Sequence, residues 1–247
     1  MITFVYEDLP RFWGWVVRSL KHLAHRTGLL AWLERHRANR ALFYLRCLFA
    51  FYDIEDMVRL DVPFWTFRAA RRIDAFLKER DGKAVVFEYG AGASTLWLAK
   101  RAGHVTSIDH DIRWASIVQN IATHVPNLDL RIIPPGDKSS SGPYRSGDPM
   151  MRGRVFEAYV RAIENAAGPF DLIVIDGRAR ADCLRAALPY LKTDGLIVFD
   201  NAYRPRYAES IRSAGLRVRR IRGAVPGLPF PEETMLMAPE ASARWLA

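Results

Sequence analysis

The chain has 247 residues, half of them hydrophobic, and its 36 Lys and Arg outnumber 27 Asp and Glu to give a net charge of +9. That balance excludes disorder over the whole length, and the length suffices for one large α/β domain with an appendage. The most apolar run, Ala41 to Ile54, is interrupted by Arg46 and is too short and too polar to span a bilayer.

Residues 1–62 open with MITFVYEDLPRFWGWVV, where Glu7 and Asp8 stand in place of a basic leader and no small-residue cleavage pattern follows. Helical spacing of Trp13, Val16, Val17 and Leu20, and again of Leu42, Leu45 and Phe49, predicts a helical cover for the rest of the chain. A pocket lid, a dimer interface and a membrane-surface contact are further options for this aromatic segment. Cys47 and Cys183 lie far apart without metal-type spacing and read as reduced, buried thiols. A cytoplasmic protein is therefore expected, with peripheral membrane contact as one option.

Residues 63–247 alternate short apolar runs with helical patterns. AVVFEY, HVTSID, LDLRII, FDLIVID, GLIVFD, LRVRRI and ETMLMA read as strands, bounded by Gly, Asp or Pro. Helices are predicted after Ser94, over 112–124, 154–167, 181–192 and 207–214, with Gly103 as a left-handed cap. The alternation predicts a doubly wound α/β domain. Asp137 to Gly153, rich in Ser, Gly and Pro, is expected to be a binding loop or lid. Between Ala202 and Arg222, seven arginines face one acid, Glu209, a local net of +6. That cluster suits an anionic acceptor or surface, or simply solubility.

Three strand ends carry candidate chemistry. The first runs into Glu88-Tyr89-Gly90-Ala91-Gly92-Ala93-Ser94-Thr95, a glycine turn that brings backbone N–H groups against a ligand. Ser94 or Thr95 is available to cap the following helix. Thr95 stands where a dinucleotide fingerprint requires glycine, which disfavours NAD and FAD. The second strand ends at Asp109, placed to accept both hydroxyls of a ribose, with Asp111 as the alternative helix cap. The fourth and fifth end at Asp176 and at Asp200-Asn201.

VVFEYGAGAST, VTSIDHD, FDLIVIDGRARAD and DGLIVFDN, in this order, resemble the successive motifs of class I S-adenosylmethionine (SAM)-dependent methyltransferases. The resemblance implies a Rossmann-like, seven-stranded methyltransferase sheet. It implies that Glu88, Gly90, Gly92 and Ser94 hold the amino-acid end of SAM, that Asp109 holds its ribose, and that Asp137 lies near its adenine. Many relatives have glycine where this chain has Ser94. The nitrogen-methylating Asn/Asp-Pro-Pro-aromatic motif is absent after the fourth strand. Asp176, Asp200 and Asn201 instead resemble the Mg²⁺ site of catechol and caffeoyl-CoA O-methyltransferases, where a metal would acidify an acceptor hydroxyl. Loop capping is the plainer role for Asp200 and Asn201. His110 is a pocket-wall or cofactor-side residue and, with Asp176, a candidate catalytic group.

The expected function is O-methylation of a small-molecule, glycan or lipid-linked acceptor, with an anionic acceptor favoured by the arginines. N-methylation of a small amine is the second reading. A non-catalytic basic module binding RNA or membrane is the third, although no motif speaks firmly for nucleic acid.

Overall fold

A computed structural model describes residues 2–138, 142–146 and 151–247, with side chains from Trp13 onward. Its centre is a seven-stranded sheet in the order β3-β2-β1-β4-β5-β7-β6. The strands are β1 (Val85–Tyr89), β2 (His104–Asp109), β3 (Leu128–Ile132), β4 (Phe170–Ile175), β5 (Leu191–Asp200), β6 (Arg217–Gly223) and β7 (Glu232–Ala238). β1 pairs in parallel with β2 and β4, while β7 runs antiparallel between β5 and β6. The expected Rossmann-like seven-stranded fold is the one observed.

β4 is wholly buried because apolar side chains occupy both of its faces. Phe87, Tyr89, Ile173, Ile175 and Phe199 enter one apolar layer, and Val86, Leu172, Val174 and Val198 enter the other. Near-continuous apolar runs are what a parallel sheet covered on both faces requires. The order of β1 falls between β2 and β4, so the chain reverses its winding there. The carboxyl ends of β1, β2, β4 and β5 open onto one crevice.

Four helices precede the sheet: α1 (Ile2–Arg26), α2 (Leu29–Arg35), α3 (Arg40–Leu48) and α4 (Ile54–Leu60). The inward stripes differ from those read in the sequence. Val17 and Ala24 are buried in α1, but Leu20 is exposed; in α3 the buried residues are Arg46 and Cys47, while Leu45 is exposed. Arg46 turns inward because Glu34 and Asp56 meet its guanidinium at 2.7 and 2.5 Å. Lys21 and Arg59 complete the network on Asp56 and Glu34. Cys47, Ala50, Ile54, Met57 and Leu60 then pack on Ala91, Ala93 and Leu96, at the glycine turn and the helix that follows it.

The remaining helices are α5 (Phe67–Lys78), α6 (Ala93–Ala99), α7 (Ile112–Ile121), α8 (Glu157–Arg161), α9 (Arg180–Ala187) and α10 (Ala208–Ser213). The helices expected over 154–167 and 181–192 are shorter and finish as 3-10 turns at Ala162–Asn165 and Leu188–Tyr190. Gly103 is not left-handed; a side chain there would press on the Gly82 carbonyl at 2.7 Å. Of the loop 137–153, residues 139–141 and 147–150 lie outside the described residues, and Lys138 and Arg145 make isolated bridges to Arg154 and Val155. Both cysteines are free and buried. Among the described residues no helix is long and apolar enough to cross a membrane.

Candidate active site

A cavity of about 540 Å³ lies at the carboxyl ends of β1, β2, β4 and β5, within the usual range for small-molecule sites. Its floor includes Gly90 to Ser94, Asp109, His110, Asp176 and Asp200, and its roof Phe51, Met57, Phe64 and Leu228. The sheet thus supplies the polar groups and the N-terminal segment supplies much of the apolar wall.

The glycine turn is held from beneath. Glu88 is completely buried and accepts hydrogen bonds from Ser94 Oγ (2.6 Å), Thr95 Oγ1 (2.5 Å) and Ser107 Oγ (2.6 Å). Burial raises its carboxyl to about 7, against the lowering effect of the three hydroxyls. Among the described contacts, Glu88 lies beneath the turn and fastens it through these hydroxyls. The cap differs from expectation. Gly92 is the N-cap of α6, and Thr95, three residues on, accepts the Gly92 N–H through Oγ1 at 2.9 Å. The Ser94 hydroxyl is spent on Glu88.

Gly90 has φ +101°, and a Cβ on it would lie 2.7 Å from the backbone nitrogen of Gly177. Gly177 in turn passes the buried Tyr159 hydroxyl, which would sit 1.9 Å from any Cβ there. The turns after β1 and β4 therefore touch through two bare backbones. A Cβ on Gly92 would meet only Trp114, at 4.0 Å, and would otherwise project into open space. The Trp114 indole donates to the Ala91 carbonyl at 2.7 Å and fixes the outer side of the turn.

Asp109 stands at the tip of β2 with 4% exposure. Its Oδ2 accepts the Ala91 N–H at 3.0 Å and its Oδ1 the Asp111 N–H at 2.8 Å. Asp111 is the cap of α7, accepting from Arg113 and Trp114. An ionised carboxylate has about four acceptor sites, so two N–H bonds leave capacity toward the cavity. The pairing of an open glycine turn with an acceptor-only group fits the methionine part and ribose of SAM. His110 lies beside it, against Phe156 and Tyr159, and its Nε2 accepts from Arg178 at 3.4 Å. His110 thus stands in the cavity wall beside Asp109. Asp137 is fully exposed beside Arg154 and takes no part in the cavity.

The strand ends of β4 and β5 bring Asp176, Asp200 and Asn201 together, but a side chain overlooked in the sequence already serves as their cation. The Arg180 guanidinium, 7% exposed, donates to Asp176 Oδ1 at 2.9 Å, to the Asp176 carbonyl at 2.7 Å and to the Gly177 carbonyl at 3.0 Å. Its remaining nitrogen donates to the Asp200 carbonyl and to Asn201 Oδ1. Asn201 Nδ2 is turned to Glu232 at 3.3 Å. In this arrangement the guanidinium is the cation beside Asp176, and Asn201 Oδ1 lies 3.4 Å from it, so the oxygens expected to hold Mg²⁺ are turned toward Arg180. No group of three His, Cys, Asp or Glu able to hold a metal ion occurs among the described residues.

Asp200 is oriented by Thr234, whose hydroxyl donates to Oδ1 at 2.9 Å while accepting the Thr66 N–H at 3.1 Å. Burial, followed by the neighbouring Asp176, raises the Asp200 carboxyl well above its ordinary value. Burial likewise raises Asp176, with Arg180 opposing.

Against known proteins, residues 87–202, just under half of the chain, match the family described as "Methyltransferase domain". No curated protein matches the sequence. Similar solved structures include an rRNA methylase from Streptococcus thermophilus, with 13% identity over 70% of this chain and 98% of that one and a TM-score of 0.48. A methyltransferase-like protein from Silicibacter pomeroyi has 21% identity over 75% and 96%, with a TM-score of 0.46. A precorrin-6y C5,15-methyltransferase from Geobacter metallireducens has 11% identity over 69% and 86%, with a TM-score of 0.48. Residues 87–202 are thus matched as a methyltransferase domain.

Proposed function

We propose that this enzyme methylates a hydroxyl of a small-molecule, glycan or lipid-linked acceptor without a metal ion. SAM would rest on the Gly90–Ser94 turn with its ribose on Asp109, and it supplies a methyl group on a positively charged sulfur. The observation that carries the reading is the neighbouring carboxylates of half-buried Asp176, paired with Arg180, and buried Asp200 on the cavity floor. A hydroxyl must lose a proton as its oxygen gains the methyl carbon, and a carboxylate with raised proton affinity at the reacting centre is suited to take it. A neutral amine attacks through a free lone pair and has less need of such a base. Arg180 would keep one carboxylate ionised and in place, the positioning that the expected metal was to provide.

The test is transfer of labelled methyl from SAM into hydroxylated acceptors fractionated from a lysate of the source cell. EDTA is expected to leave turnover unchanged. Asp200→Asn is expected to lower kcat by at least ~100-fold, the usual scale for a general base, while SAM affinity measured by calorimetry stays within twofold. Inactivation by EDTA with rescue by Mg²⁺ would refute the metal-free arrangement. Full activity of Asp200→Asn on an amine acceptor would replace O-methylation with N-methylation.

A further inference from the structure

Helices α1 and α2 bury one face and leave a second, chemically distinct face outside. The inner face of α1 is tied down: Val17 packs with Phe51, Val225 and Leu228, and the Trp13 indole donates to the Gly227 carbonyl at 2.7 Å. On the outside, Trp15 is 62% exposed, Leu20 48% and Leu23 59%, and on α2 Leu29 is 39% and Trp32 42% exposed. These five are nearly half of the eleven large apolar side chains left exposed among the described residues. At helical spacing Leu20 and Leu23 are neighbours on α1, Arg18, His22 and His25 group beside one another, and Trp15 lies between the two groups.

Charge decides what this face suits. Residues 13–40 contain six Lys and Arg against one acid, Glu34. Glu34 is engaged by Arg46 and Arg59, and Lys21 by Asp53 and Asp56. Arg18 and Arg26 of α1 and Arg35 of α2 make no ion pair among the described residues, so these two helices carry three cations that no described acid answers. A second copy of the chain would bring the same cations against them. RNA would answer the charge but offers no apolar phase for exposed leucines. An anionic bilayer answers both: lipid phosphates meet the arginines, and the acyl boundary takes the Trp and Leu side chains. Neither helix is long and apolar enough to cross.

We propose that the outer face of α1 and α2 docks this enzyme on anionic membrane surfaces. The inner face of α1 packs through Val17 on Phe51 and Leu228, which line the cavity, so the docking face and the cavity wall belong to one packed unit. The proposal is independent of which acceptor atom is methylated.

The experiment is co-sedimentation of the full chain with phosphatidylcholine vesicles and with vesicles of phosphatidylcholine and phosphatidylglycerol in equal parts. Binding is expected only to the anionic vesicles, with a blue shift of tryptophan fluorescence and a fall in affinity as salt rises. Leu20→Ser/Leu23→Ser/Trp32→Ser should lower the partition coefficient at least ~10-fold, and Arg18→Glu/Arg26→Glu should lower it at least ~30-fold, the loss expected for two arginines removed from the surface. The altered side chains are exposed, so melting temperature and SAM affinity should match the parent and separate lost docking from lost folding. Equal binding to both vesicle types, or unchanged binding of the apolar triple variant, would overturn the proposal. So would a dimer in sedimentation velocity that the triple variant abolishes. RNA binding that needs the arginines but not the leucines would overturn it equally.

Discussion

Asp109 and Glu88 show how much a single residue's surroundings decide. Both are carboxylates at the ends of adjacent strands, and both were legible in the sequence as cofactor residues. The structure separates them: Asp109 lines the cavity, whereas Glu88 is consumed by three hydroxyls below it. Nothing in the motif distinguishes the two, because the difference rests on Ser107, a strand away, and on Thr95 turning back. Asp109→Ala should weaken SAM binding by ~1–3 kcal/mol, the usual cost of leaving buried hydroxyls unpaired, as read by calorimetry. Gly92→Val should abolish it, since its side chain would fill space that is now open. Unchanged affinity in the Asp109 variant would remove the ribose from this position.

Glu88 gives a pH signature. Its carboxyl is raised from 4.5 in the unfolded chain to about 7 in the fold. Between those values the folded state holds the proton more tightly, so this residue makes stability fall as pH rises from 4.5 and the loss is complete above 7. Glu88→Gln keeps an uncharged partner for the hydroxyls and should flatten that part of the curve. Urea denaturation across the interval measures it; a slope identical to the parent's would mean another group is responsible.

At the scale of elements, the seven strands and their order of appearance were legible because buried parallel strands need uninterrupted apolar runs, and these stand out against the helices. Arg180 was legible too, in principle, four residues after Asp176 at the start of α9, the spacing that lets a helix side chain fold back on its own entry turn. It was passed over because arginine in a loop-helix junction usually faces solvent. The N-terminal helices were harder. Counting apolar residues placed Leu20 and Leu45 on the inward stripes, whereas both are exposed and Arg46 is buried in its network with Glu34 and Asp56. Burial raises Asp56, but the hydrogen bonds and charges of Arg46 and Lys21 outweigh it and bring its carboxyl to about 2. Arg46→Leu would leave the buried Asp56 to Lys21 and Arg59 alone, and removing one member of a buried pair costs up to about 3–5 kcal/mol. Chemical denaturation should show a loss of that size; a change under ~1 kcal/mol would mean the pair is worth no more than a surface contact.

At the scale of the molecule, the N-terminal segment is inseparable from the cavity it covers. Leu60, Met57, Ile54 and Cys47 lie on Ala91, Ala93 and Leu96, the same short stretch that forms the glycine turn and the first turn of α6. The Tyr44 hydroxyl donates to the Leu228 carbonyl at 2.7 Å, and Trp13 reaches Gly227, so the loop carrying Leu228 is also held from this side. A fragment beginning at Val62 would lose those fastenings and expose the apolar outer side of α6 and α7 to water. It should aggregate, as contiguous exposed apolar patches do, or, if kept in solution, bind SAM far more weakly than the full chain. This differs from the docking-face variants, which alter only outward side chains of α1 and α2 and should leave SAM affinity intact. Size-exclusion chromatography and calorimetry on both proteins separate the two roles of one segment. A monomeric fragment with full SAM affinity would show that the cover serves the membrane face alone, and that the sheet domain holds its cofactor turn without help.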